Sequence, residues 1–207
     1  SRACGRGSAL MAPPTIEGID DLVEIGRGGT ATVYRGRQVS FGRTVAVKVL
    51  TSVVSNEEQR LRFERERLAI GALSSQPNIV TVYSAGVTDS GHPYLVMEYL
   101  PRSLADLLAE RGRLPWDEAC SIVLALADAA SAAHARRVIH RDIKPENVML
   151  SASGTPKLTD FGLARMIGNF ESQTNTVRAS VSHASPELIE GRPVTETTDV
   201  YSLASTL

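Results

Sequence analysis

Two regimes of hydrophobic patterning divide the chain. Over residues 21–50 and 79–100, Val, Ile, Thr and Tyr recur in short runs broken by glycine, a pattern that predicts antiparallel strands. The stretch 55–73 between them is charged and has a helical period. Phe63, Ile70 and Leu73 fall on one stripe; Glu66 lies on that stripe, whereas Glu64 points away. A carboxylate on a buried face needs a cationic partner, which singles out Glu66. Ser55 and Glu58 have the S-x-x-E spacing of a capping box at the helix start. From residue 103 the chain turns helical, with a short helix over Ser103–Glu110 and a long Ala-rich one over Asp117–Arg136. Apolarity on all sides of the long helix predicts burial, with Trp116 packing at its start. Short strands follow at Val148–Leu150 and Pro156–Thr159, then a polar loop from Met166 to His183 and an apolar helix from Glu196. The expected fold is α+β and bilobal: a small antiparallel-sheet lobe with one helix over about 15–97, a hinge at 98–101, and a helical lobe over 102–207. Residues 1–14 read as a disordered lead-in in which Met11 is an alternative start.

Composition narrows the picture. The chain has 207 residues, 43% hydrophobic and 22% charged, which suits one packed domain or one domain of two lobes. The charge is 22 − 23 = −1, and no basic face argues for a nucleic-acid partner. Cys4 lies in the lead-in and Cys120 in a helix, so neither a disulfide nor a metal spacing is expected, and a reducing cytoplasm is the natural setting. The most apolar stretch, 122–133, is interrupted by Asp128 and is shorter than the roughly 20 residues of a membrane span. No membrane contact is expected within this chain; a parent protein anchored elsewhere remains compatible with it.

Three motifs carry chemistry. Gly26-Arg27-Gly28-Gly29 follows a strand-like run, and glycines there let backbone N–H groups approach phosphates. Taken alone it is equally a glycine hairpin, and no Gly-Lys-Ser/Thr follows to make a P-loop. Val45-Ala46-Val47-Lys48 places a lysine at the end of an apolar strand, either as a surface residue or as a cation over phosphates fixed by Glu66. His140-Arg141-Asp142-Ile143-Lys144-Pro145-Glu146-Asn147, with Asp160-Phe161-Gly162 after it, is far more informative. Asp142 is placed to accept a hydroxyl proton, Lys144 to neutralise phosphoryl charge, and Asn147 and Asp160 to offer hard oxygens to a metal.

With these motifs the chain resembles the eukaryotic-type (Hanks-type) protein kinase family from about residue 20 onward. The resemblance implies a nucleotide site of Ile25, Gly26, Gly28, Val33, Ala46, Lys48, Met97 (as gatekeeper), Glu98, Leu100 and Met149. It implies catalytic roles for Asp142, Lys144, Lys48 and Glu66, metal ligands Asn147 and Asp160, and ATP with Mg²⁺ or Mn²⁺ as cofactors. Asp199 matches the buried aspartate that anchors the catalytic loop, and Ser185-Pro186-Glu187 the A-P-E box. Lys144 marks the Ser/Thr form, and the hinge Pro93–Tyr99 is similar to the bacterial branch. Protein Ser/Thr substrates, a homodimer for trans-autophosphorylation, and regulatory phosphosites at Thr174 and Thr176 are implied as well; the plain alternative is that these are solvated loop hydroxyls. His134 is expected to be a core or helix-end histidine rather than a ligand, and His92 and His183 to lie in loops with no role. Ala31 replaces a third loop glycine, and Arg137 replaces a glycine before the catalytic loop. The family pattern also continues beyond Leu207, so a truncated large lobe is expected, with Leu203 exposed and Glu187 lacking its partner. The competing readings are an inactive fragment or pseudokinase-like binding module, and a small-molecule phosphotransferase, which Lys144 and the Asp-Phe-Gly run disfavour.

Overall fold

The computed structural model describes residues 13–161 and 181–206. Thr174, Thr176 and Gly162 lie outside them, as do Cys4 and Met11. In the small lobe, β1 (Ile19–Arg27), β2 (Ala31–Gln38), β3 (Arg43–Leu50), β4 (Val82–Val87) and β5 (Pro93–Glu98) form one antiparallel sheet in the order β1-β2-β3-β5-β4. Alternation along β3 separates its two faces. Val45 and Val47 pack with Tyr34 and Val96, while Ala46 and Leu50 point the other way into a cluster with Leu95 and Met97. Lys48 shares the parity of Ala46 and Leu50, which aims it at the second face.

Helix α1 (Glu57–Leu73) covers that second face. It buries Phe63, Glu66, Ile70 and Leu73, the stripe read from the sequence, while Glu64 sits at the surface against Arg67. The cap differs from the expected Ser55/Glu58 box. Asn56 is the N-cap, accepting from the Gln59 amide at 2.9 Å, and the Gln59 side chain returns to the Ser55 amide at 2.7 Å. Asn caps as well as Ser does, so the cap shifts by one position, while Gln59 returns to the amide before the cap rather than to the cap's own amide. Glu58 faces solvent.

The large lobe holds α2 (Leu104–Arg111), α3 (Trp116–His134), α4 (Pro186–Ile189), α5 (Glu196–Thr206) and a small sheet of β6 (Arg102–Ser103), β7 (Val148–Leu150) and β8 (Pro156–Leu158). Ser103 and Asp106 form a reciprocal capping box on α2. The Asp106 carboxyl lies below its usual range because the Ser103 backbone amide and hydroxyl donate to it. Ile122, Leu126, Ala129, Ala130 and Ala133 of α3 pack with Val148, Leu158 and Leu203. Contrary to expectation α3 is buried on one face only: Trp116 is 80% exposed and Leu124 68%. Leu203 is buried, also against expectation, whereas Val200 and Tyr201 on α5 face solvent. Among the described residues no helix is long and apolar enough to cross a membrane.

The lobes meet along a hydrogen-bonded seam. Val80 N–H donates to Leu158 O at 2.9 Å, Leu158 N–H to Asn78 O at 2.8 Å, and Asn78 Nδ2 to Pro156 O at 2.8 Å. Leu73 and Ile79 accordingly belong to the large-lobe core.

Arg137 is left-handed, with φ 60°, just after α3. Such a conformation costs a non-glycine residue about 1–2 kcal/mol, partly offset by the lower unfolded-state entropy of arginine relative to glycine. Arg137→Gly is therefore expected to stabilise the fold by roughly 0.5–1 kcal/mol in urea unfolding; a lower midpoint would count against strain at this turn.

Candidate nucleotide-binding and catalytic cleft

A cavity of about 330 Å³ opens between the lobes. Val33 and Ala46 of the sheet, Met97 near the end of β5, Tyr99 and Leu100 of the hinge, and Met149 of β7 make one end largely apolar. Lys48, Asn147 and Asp160 make the other end charged. An apolar slot with a few convergent polar groups is the usual form of a ligand site. Of the ten nucleotide-site residues expected from the sequence, nine line this cavity: Ile25, Gly26, Val33, Ala46, Lys48, Met97, Glu98, Leu100 and Met149. Gly28 does not; its amide donates to Ala31 O at 2.8 Å, closing the β1–β2 turn. Val80, Tyr99, Glu146 and Thr159 line the cavity and were not foreseen. Tyr99 and Glu146 sit inside motifs already singled out, so adjacency was the available signal. Met97, with Val80, Thr159 and Asp160, also lines a second cavity of about 20 Å³.

At the charged end, Lys48 Nζ stands 2.6 Å from Asp160 Oδ2. Glu66 is buried on α1, on the side of the sheet that Lys48 faces. Asn147 Nδ2 donates to Asp142 O at 2.7 Å and to Asp142 Oδ2 at 2.9 Å. This fixes the amide orientation and turns Asn147 Oδ1 away from Asp142. Lys144 Nζ lies 2.9 Å from the same Asp142 Oδ2. Asp142 is thus oriented by a lysine and an amide, with its side chain still 44% exposed to solvent. The oxygens of Asn147 and Asp160 are hard donors on one side of the cavity, a set that fits Mg²⁺.

The loop carrying these groups is held from below. Asp199, fully buried on α5, accepts from His140 N at 2.9 Å, Arg141 N at 2.8 Å and His134 Nε2 at 2.7 Å. Arg141 and Asp160 both have φ 72°, so the loop and the strand end beside it are held in a sparsely populated conformation. His140 is buried, with Nε2 2.7 Å from Thr159 O, Nδ1 accepting from Asp142 N, and its ring edge-to-face with Phe161 at 4.6 Å. Because a carbonyl only accepts, Nε2 carries the proton. His140 therefore ties the Asp142 loop to the strand leading into Asp160. His134 is the helix-end residue expected; its bond to Asp199 was not foreseen. Glu187 has a partner among the described residues after all: Thr198 Oγ1 donates to Glu187 Oε1 at 2.7 Å, which holds that carboxyl below its usual range.

Two lobes around a cleft, with an aspartate, a lysine and two oxygen ligands at one end, define a nucleotide phosphotransferase architecture. Sequence and structure comparisons refine the class. The model for "Protein kinase domain" matches residues 19–207, and the chain belongs to that family. It is 46% identical over 191 residues to serine/threonine-protein kinase PknK of Mycobacterium tuberculosis, covering 92% of this chain and 17% of that protein. It is 41% identical to the probable serine/threonine-protein kinase PknB of Lactococcus lactis, over 88% of this chain and 29% of that one. The M. tuberculosis PknI kinase domain superposes with a TM-score of 0.73 at 32% identity, covering 96% of this chain and 74% of that one. The chain thus spans less than a third of the length of PknK and of this PknB, and it is a Hanks-type kinase domain similar to bacterial Ser/Thr kinases.

Proposed function

We propose that this domain transfers the γ-phosphate of ATP to serine and threonine hydroxyls of proteins, as a non-specific Ser/Thr protein kinase. The observation that carries the reading is one cavity with an apolar hinge end and a Lys48/Asn147/Asp160 end, next to an Asp142 oriented by Lys144 and Asn147. Phosphoryl transfer is mainly a matter of positioning and charge neutralisation, and these side chains supply both. The hinge and its apolar walls hold the base. Lys48, assigned to be steadied by Glu66, binds phosphate oxygens. Asp142 accepts the proton of the attacking hydroxyl, and Lys144 neutralises charge on the group in flight. Asn147 and Asp160 would hold Mg²⁺, which when bound would supply further neutralisation of phosphate charge.

Autophosphorylation in trans within a homodimer, with Thr174 and Thr176 as acceptors, belongs to the same proposal, as does a cytoplasmic setting for the domain. The test is incubation with γ-labelled ATP, Mg²⁺ and a basic protein substrate, followed by acid hydrolysis. Label in phosphoserine or phosphothreonine is expected. A Mg²⁺-ATP-dependent rise in melting temperature without any transfer would instead favour the binding-module alternative.

A further inference from the structure

The seam between the lobes contains a charged pair that none of the roles above uses. Lys157 on β8 places Nζ 2.6 Å from Glu98 Oε1 at the hinge, with the two side chains 17% and 18% exposed. The same carboxylate oxygen accepts from Thr81 N at 2.7 Å, and the Glu98 amide donates to Thr81 O at 2.9 Å. The hinge residue is therefore gripped by side chain and backbone alike. Its lysine partner stands three residues before Asp160, on the strand whose Leu158 exchanges hydrogen bonds with Val80 and Asn78. A pair this shielded from water is screened far less by salt than a surface pair, and its geometry is correspondingly fixed.

We propose that Lys157 is a positioning residue for the nucleotide: acting through Glu98, it sets the spacing between the hinge end of the cleft and the Asp160 end. The inference rests on the cleft being an ATP site. A ligand that bridges both ends gains full affinity only when the two ends are already held at the right separation; otherwise that ordering is charged against binding. A ligand that touches only the hinge end is indifferent to the spacing. Lys157 does not line the cleft, so its removal deletes no contact with nucleotide.

The experiment is calorimetric titration of the full chain with Mg²⁺-ATP and, separately, with adenosine. Lys157→Gln is expected to weaken Mg²⁺-ATP about tenfold, equivalent to about 1.4 kcal/mol, and to leave adenosine binding unchanged. Lys157→Arg, which keeps the charge, is expected to restore most of the loss. Equal weakening of both ligands, as general destabilisation would give, overturns the proposal, and so does no change in either. A wild-type chain that fails to bind Mg²⁺-ATP overturns the reading of the cleft itself, and the proposal with it. Should Lys157→Gln melt below the assay temperature, Lys157→Met keeps the packed stem, and the same outcomes decide.

Discussion

Asp142→Asn lowers the rate of phosphoryl transfer by about 10²–10⁴-fold, the usual contribution of a positioned general base, with nucleotide affinity unchanged. The substitution keeps the shape of the side chain. Its remaining carbonyl oxygen still accepts from Asn147 Nδ2 and Lys144 Nζ, both of which now donate to Asp142 Oδ2. What disappears is the ability to take a proton from an attacking hydroxyl. Asp142 is not among the residues lining the cavity, so binding and chemistry should separate cleanly. Initial rates with labelled ATP, paired with equilibrium nucleotide titrations, provide the check. Equal rates in the two proteins would remove Asp142 from its assigned role.

Asp199→Ala has the largest expected effect on stability. The carboxylate is fully buried and accepts from two backbone amides and one imidazole. Its removal leaves three shielded donors without an acceptor and opens a hole between α3 and α5. Stranding buried polar groups costs about 1–3 kcal/mol each. With three donors affected, a total loss of about 3–5 kcal/mol is expected in denaturant unfolding, a large share of what a domain this size possesses. Asp199→Asn should lose less, because its amide oxygen still accepts. A loss below about 1 kcal/mol for the alanine variant would show that the loop does not depend on this anchor.

How much of this was legible in the chain depends on the range of the interaction. The eight residues from His140 to Asn147 act on one another across short loops, so their spacing alone placed Asp142, Lys144 and Asn147 together. Lys48 and Asp160 are 112 positions apart. Helix phase could place Glu66 on the buried face of α1, because the stripe is a local property. It could not establish that the lysine ammonium stands 2.6 Å from Asp160. The Glu98–Lys157 pair, 59 positions apart, left no trace in periodicity at all. Trp116 and Leu124 misled for another reason. Alanine reads as apolar on every side of a helix, so the pattern of α3 hid which face the core would claim. The cap of α1 slipped by one residue because Ser55 and Asn56 are both competent, and only the exit from the preceding loop decides between them.

The strap formed by Asn78 and Val80 on β8 bears on how the two lobes could be exchanged or inherited. Cut at the hinge, the small lobe would carry away Leu73 and Ile79, side chains that complete the other lobe's interior, and would expose the Val80 and Leu158 amides that bond across the seam. Each half would be left with an open wound. The boundary that matters to a molecule grafting one lobe onto another is thus not the hinge alone but a discontinuous line through both residues 98–101 and 73–81. A chimera that keeps the 73–81 segment with its native β8 should fold where a simple hinge splice does not.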